Sequence, residues 1–302
     1  MVFYNLPTRT SCDDGSTDYK WEKYNYFCRA TEGFGYGRIN DDGYNNSFDL
    51  KDIDTIDILA IGSSHLEGFN IPQNKIITEL LNERLDKYTT YNIGISEHNL
   101  IDCLDNLENA LRKYRPTKYV LIETMSVSFY DDQLTNLLND SRTKYQSYDS
   151  GIVGFAQKIP VLRLLAFQLN NLNNSKKVSV NEIVDSRTDE EMFSKVLSKT
   201  AEVCREYGVQ PIIVYHPILS VNETGIVDNT LHKDKELFDK LCKENNITFI
   251  DMTDTFVEYY KENDKLPHGF MNTSIGSGHL NELGHSLIAD EIINVIKEME
   301  NN

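Results

Sequence analysis

Asp57-Ile58-Leu59-Ala60-Ile61-Gly62-Ser63-Ser64-His65-Leu66-Glu67-Gly68 is an apolar run that breaks at a glycine into two serines and a histidine. A strand buried on both faces of a parallel sheet reads as continuous aliphatic chain, as Ile58 to Ile61 does. Ligand-binding and reactive groups in such sheets lie on the loops beyond the carboxyl ends of the strands. Ser64 therefore stands where a nucleophile or a binding hydroxyl would stand, and the rest of the chain has to distinguish it from Ser63.

Working outward, the pattern alternates. A strand is expected over about 56–61 and a helix over 75–85, where Ile76, Ile77, Leu80, Leu81 and Leu85 share a face. A short strand over 89–93 ends at Gly94, and a helix is expected over 99–114. Pro116 marks a turn before a strand over 118–122. Further on come a helix over 190–207, a strand over 210–215, a helix over 234–245, a strand over 248–250 and a last helix over 281–299. Strand–helix alternation of this kind predicts an α/β protein, a parallel sheet covered by helices on both faces. Residues 1–50 lack a sustained period and interleave Tyr19, Trp21, Tyr24, Tyr26, Phe27, Phe34 and Tyr36 with Asp, Asn and Gly. They are expected to form an N-terminal arm packed on a domain spanning 51–302. Gly33, Gly35 and Gly37 lack the strand–loop–helix setting of a dinucleotide loop. Residues 127–187 break the pattern and read as a helical insertion, whose apolar stretch over 150–172 suits a satellite core, a lid or an oligomer contact.

Composition narrows the function classes. The chain has 302 residues and a formal net charge of -17, which disfavours nucleic acid as a partner. Five scattered cysteines form no C-x-x-C pair, so neither a zinc knuckle nor a disulfide framework is suggested. No apolar run is long enough to span a bilayer, and no signal peptide is legible. A cytoplasmic location is the expectation. Among seven histidines, His279 stands out because glycine-rich chain, Ser274-Ile275-Gly276-Ser277-Gly278, leads into it and a helix follows. A histidine on such a loop can reach back to a serine after the first strand.

Taken in order, Gly62-Ser63-Ser64-His65-Leu66-Glu67-Gly68, Tyr91-Asn92-Ile93-Gly94-Ile95-Ser96 and His279-Leu280-Asn281 with Gly284-His285 resemble the conserved blocks of the SGNH (GDSL-type) hydrolases, a superfamily of esterases, lipases and acyltransferases. Ile39-Asn40-Asp41-Asp42-Gly43-Tyr44 is similar to a segment upstream of those blocks. The resemblance implies a three-layer α/β/α sandwich of flavodoxin-like type with about five parallel strands. It implies Ser64 as nucleophile, His279 as general base and then acid, and the N–H groups of Ser64 and Gly94 as oxyanion donors. The implied substrate is an O-acyl ester, O-acetyl by analogy, on a carbohydrate or other polar small molecule, with no cofactor and no metal. Acyl transfer, or a degenerate glycan-binding role in polysaccharide modification, is the alternative.

The chain departs from the family pattern in several places. Ser63 replaces an aspartate. The segment Glu123-Thr124-Met125-Ser126 lacks the asparagine that would complete the oxyanion hole, leaving Thr124 and Ser126 as substitute donors. Gly276 stands where the orienting aspartate would precede His279, so another group must orient the ring, with Asp251 and Asp264 as candidates by nearness in sequence. His65, Glu67, Glu123 and His216 are the remaining pocket candidates. A metal held by His65, His98 and His279 would need three ligands and an open position, and no close-spaced motif supports it.

Overall fold

The computed structural model describes residues 4–5, 9–11, 19–127, 190–222, 225–228 and 235–301. The expected insertion over 127–187, with its proposed lid or oligomer contact, lies almost wholly outside them.

The arm contains β1 (Tyr4–Asn5), β2 (Arg9–Ser11), β3 (Tyr19–Trp21), β4 (Tyr26–Arg29) and β5 (Gly35–Arg38), all paired antiparallel. Tyr19, Trp21 and Phe27 are buried, and Trp21 and Phe27 both pack on Phe69, just past the Ser64 loop. Close approach explains the glycines. A Cβ on Gly35 would lie 2.1 Å from the Phe69 carbonyl oxygen, so the arm's hairpin can lie on that loop only without a side chain there.

Then come β6 (Ile58–Ile61), α1 (Ser64–Glu67), α2 (Ile77–Arg84), β7 (Thr90–Asn92), α3 (Leu100–Asp105), α4 (Leu107–Tyr114) and β8 (Tyr119–Thr124). The single helix expected over 99–114 is two. Asn99 and Asp102 form a capping box at its start, and Asn106 separates the halves. The chain continues with α5 (Glu190–Glu206), β9 (Gln210–Tyr215), the hairpin β10 (Leu219–Asn222) and β11 (Gly225–Asp228), α6 (Lys235–Glu244), β12 (Thr248–Asp251) and α7 (Thr253–Asn263). It ends with β13 (His268–Gly269), β14 (Ile275–Leu280) and α8 (Glu282–Asn301). No helix among the described residues is long and apolar enough to cross a membrane.

The central sheet has five strands in the order β12-β9-β8-β6-β7, all parallel. Its side chains alternate between two cores, as a pleated strand requires. Leu59, Ile61, Val120, Ile122, Ile213 and Tyr215 face one core, where α3 to α6 and the arm's aromatics pack. Ile58, Ala60, Tyr119, Leu121, Ile212 and Val214 face the other, covered by α2, α7 and α8. The expected three-layer α/β/α sandwich is observed. The strand order reverses between β6 and β8, and Ser64 and Glu123 stand at the carboxyl ends of those two strands, where the crevice of such a sheet lies.

Candidate active site

Ser64 opens α1. Ser63 caps it, its hydroxyl oxygen accepting the His65 N–H at 3.2 Å, and Gly68 closes it in a left-handed conformation. From Ile61 to Asn70 every residue is buried except Ser64, which is partly open. The turn thus presents one hydroxyl.

His279 lies on β14, a strand paired antiparallel with β13 through His268 and Leu280, and not on the open glycine-rich loop expected from sequence. Its Nε2 is 2.9 Å from Ser64 Oγ, across 215 positions of sequence. Its Nδ1 is 2.7 Å from Glu32 Oε2, and its backbone N–H donates to Glu32 Oε1 at 2.8 Å. The ring is held between a hydroxyl and a carboxylate. Burial pushes the Glu32 carboxyl up, but the hydrogen bonds from the His279 ring and N–H, with the charges of His279 and Arg29, outweigh it and hold the group below the ordinary carboxylate range.

Glu32 replaces the expected orienting candidates. Asp251 is engaged by Lys235 at 2.8 Å and by the Thr253 N–H and hydroxyl, and Asp264 is the left-handed cap that ends α7. Glu32 comes from the turn between β4 and β5, a segment read as an aromatic arm. Asn272, between β13 and β14, holds that turn: its Oδ1 accepts the Gly33 N–H at 2.9 Å and its Nδ2 donates to the Gly33 carbonyl at 2.9 Å. Asn70 Nδ2 donates to the Glu32 carbonyl at 3.2 Å. The sequence signals for this docking are the glycines at 33, 35 and 37 in the arm and Gly278 beside His279.

The expected oxyanion donors have the following places. The Ser64 N–H is at the first helical position, where the helix supplies no acceptor of its own. The Gly94 N–H donates to Asn92 Oδ1 at 2.8 Å, so it reaches an oxyanion only by leaving that oxygen. The Thr124 hydroxyl donates to the Ser126 carbonyl at 2.7 Å and accepts the Ser126 N–H at 3.2 Å.

Glu67, one of the pocket candidates, is buried. Trp21 Nε1 donates to its Oε1 at 2.6 Å and the Ser96 hydroxyl to its Oε2, which ties the arm to the loops after β6 and β7. Glu123 is also buried. It accepts the Ser63 N–H at 2.8 Å and the Ser63 hydroxyl at 2.9 Å, and lies 2.6 Å from His216 Nε2. Burial pushes its carboxyl up, but the hydrogen bonds from His216 and the Ser63 N–H outweigh it and bring it down to about 2, so it is an anion at neutral pH.

His65, His216 and His268 bring ligand atoms within 4.8 Å of one another, and sequence reasoning missed His268. Their hydrogen bonds test the fit to a metal. The Leu280 N–H donates to His65 Nδ1 at 3.1 Å, so the neutral ring keeps its proton on Nε2. His216 gives its Nε2–H to the Glu123 anion, which leaves Nδ1 as the one atom it could offer a metal. His268 has no hydrogen-bond partner among the described residues. The set therefore offers at most two lone pairs beside the His65 N–H, short of the three protein ligands of a catalytic zinc site. His285 accepts the Ile77 N–H on Nδ1 at 3.2 Å and serves α2, away from the serine.

No protein-family model matches this sequence, and no curated protein does. Solved structures with related topology include an acetyl xylan esterase, AlAXEase, at 16% identity over 79% of this chain and 98% of that one, with a TM-score of 0.46. A lipolytic protein of the G-D-S-L family from Veillonella parvula is 15% identical over 80% and 99% of the two chains, with a TM-score of 0.44. A psychrotrophic esterase, EstA, from Pseudoalteromonas is 17% identical over 81% and 98%, with a TM-score of 0.42. At these identities and TM-scores the likeness carries no argument about function, which rests on the geometry of this chain.

Proposed function

We propose that this protein is a serine hydrolase of O-acyl esters that works through an acyl-enzyme on Ser64. The observation that carries the proposal is the placement of His279 between Ser64 Oγ at 2.9 Å and Glu32 Oε2 at 2.7 Å. The ionised Glu32 accepts the Nδ1–H and leaves the Nε2 lone pair facing the serine hydroxyl, the tautomer a general base needs. Ser64 Oγ bonds to the ester carbonyl carbon as His279 Nε2 takes the hydroxyl proton. The carbonyl oxygen becomes an oxyanion, for which the Ser64 N–H is the proposed donor. Collapse breaks the carbon–oxygen bond to the alcohol, which leaves with the proton from His279. Water, deprotonated by the same ring, releases the acid and restores Ser64.

The substrate we infer is a polar O-acyl ester, O-acetyl on a carbohydrate. Support comes from the resemblance noted above and from Phe34 and Tyr36, both about half exposed, which flank the Glu32 turn with ring centroids 5.8 Å apart. Transfer to an acceptor hydroxyl shares every step up to the acyl-enzyme, and adding alcohol acceptors to the assay separates it from hydrolysis. The carboxylate partner of His279 answers one of the two departures behind the degenerate, binding-only alternative; the absent oxyanion-hole asparagine is the other, and labelling of Ser64 separates the two readings.

The test is labelling with a fluorophosphonate and turnover of p-nitrophenyl acetate. Wild type is expected to label at Ser64 and Ser64→Ala to lose both signals. Unlabelled wild type, or a Ser64→Ala variant with full turnover, refutes the proposal.

A further inference from the structure

We infer that Glu123, paired with His216, is a positioning residue that fixes the nucleophile turn from beneath; the inference rests on the reading of Ser64 as nucleophile. Glu123 is 2% exposed, and its carboxylate is gripped at both oxygens, by Ser63 through N–H and hydroxyl and by His216 through Nε2. Taking a carboxylate out of water is unfavourable unless its lone pairs are engaged. Well-packed apolar residues often serve stability equally well in place of buried ion pairs. The anion is also not buried at random. It lies under the turn that carries Ser64, at the point where the strand order reverses.

Gly62 makes the approach feasible. A Cβ there would lie 2.6 Å from Glu123 Oε2 and 2.8 Å from Glu123 Cβ. With no side chain at Gly62, the carboxylate reaches the Ser63 N–H. The Ser63 hydroxyl then donates to Glu123 while accepting the His65 N–H, so its orientation is set from both sides. The first turn of α1 is thereby pinned to β8. The same turn is pinned to β14 on its other side, because His65 Nδ1 accepts the N–H of Leu280, the residue after His279. Glu123 and Leu280 thus hold the turn between them, and the 2.9 Å from Ser64 to His279 depends on both.

Glu123→Gln probes this directly. Gln has one acceptor and one donor where the carboxylate has two acceptors. The Ser63 N–H can only donate, so it claims the amide oxygen. The amide NH2 then faces His216 Nε2, which must give up its proton to accept it. Misplacing a reacting group by about 1 Å can cost about 100-fold. The expected result is a kcat for p-nitrophenyl acetate, and a fluorophosphonate labelling rate, lower by roughly 10- to 100-fold with KM little changed. The nitrogen NMR signature of His216 Nε2 should change from protonated to unprotonated. His216→Gln, which keeps a donor for Glu123, is expected to retain most of the rate, and His216→Ala to lose it.

Ile292→Val, in the core under α8, supplies a control that lowers stability away from the site. The inference is overturned if Glu123→Gln labels at the wild-type rate, or if its loss of rate is matched by Ile292→Val at equal loss of Tm. If Glu123→Gln does not fold, equal labelling by His216→Gln and His216→Ala overturns it. Ser64→Ala run in parallel separates the two readings: loss of all activity there with none in Glu123→Gln removes only this inference.

Discussion

Replacing Glu32 with Gln should disable the site through the tautomer of His279 and not through the fold. Both Glu32 oxygens are acceptors, one for the His279 backbone N–H at 2.8 Å and one for Nδ1 at 2.7 Å. An amide offers one oxygen. If that oxygen stays on the backbone N–H, which cannot change its role, the NH2 points at Nδ1 and forces the ring proton onto Nε2. His279 then meets Ser64 with a proton and not a lone pair. If the amide flips, two N–H groups oppose each other at the backbone. In a serine protease the equivalent carboxylate-to-amide change lowers kcat about 10⁴-fold through the wrong tautomer. Here the Glu32 side chain is 18% exposed, so water can compensate in part. The expected loss in kcat is therefore about 10³- to 10⁴-fold, or about 4–5.5 kcal/mol of transition-state stabilisation. The assay is the labelling rate of Ser64 alongside turnover, with Tm to confirm folding. A Glu32→Gln variant within tenfold of wild type, beside an inactive Ser64→Ala, would refute the role given to Glu32.

Other predictions concern how the site is assembled. Asn272→Ala removes both bonds to Gly33 and should lower kcat about tenfold through a loosened Glu32, with full folding retained; Asn272→Asp, which keeps only the acceptor, should fall between. Trp21→Phe leaves Glu67 Oε1 without its indole donor and should lower Tm by several degrees, read by calorimetry, because a buried carboxylate loses a charge-assisted bond. Acid stability follows from the histidines. Burial brings His285 down to about 3 and holds His65 and His268 well below the ordinary value. The unfolded chain then binds more protons than the folded one below the ordinary histidine pKa of about 6.5, so stability falls as pH drops from there toward 3. His285→Gln, which can still accept the Ile77 N–H, should shallow that slope in a series of urea melts; an unchanged slope counts against the buried neutral state.

The sheet was legible because its signal is local. Ile58 to Ile61, Tyr119 to Ile122 and Gln210 to Tyr215 are short aliphatic runs bounded by polar or turn residues, and each is a strand of the observed sheet. Element ends were less legible because pairing decides them. Glu123 and Thr124 extend β8 because Val214 and Tyr215 lie alongside, which no feature of the segment itself announces. The strand β14 was missed for a related reason. Its glycines carry positive φ at Gly276 and Gly278, the mark of a loop, and it is a strand only because β13 pairs with it.

The missing aspartate before His279 has the same physical origin. An acid three residues upstream can reach the histidine when the chain between them turns. Here the chain between them bulges away from β13, and Gly276 has a φ of 82°, a conformation that L side chains rarely adopt. A Cβ there would also lie 2.8 Å from Leu266 Cδ1, so position 276 suits glycine and not an aspartate. The acid has to come from a segment lying across β14, and the turn between β4 and β5 is that segment, with Gly278 leaving space for it: a Cβ there would lie 2.2 Å from Glu32 Oε1. The glycine-rich approach to His279 is thus the imprint of Glu32, legible only once the arm is known to dock there. The arm's aromatics are accounted for in the same way, since Trp21 and Phe27 pack on Phe69 and carry the Glu32 turn to the histidine.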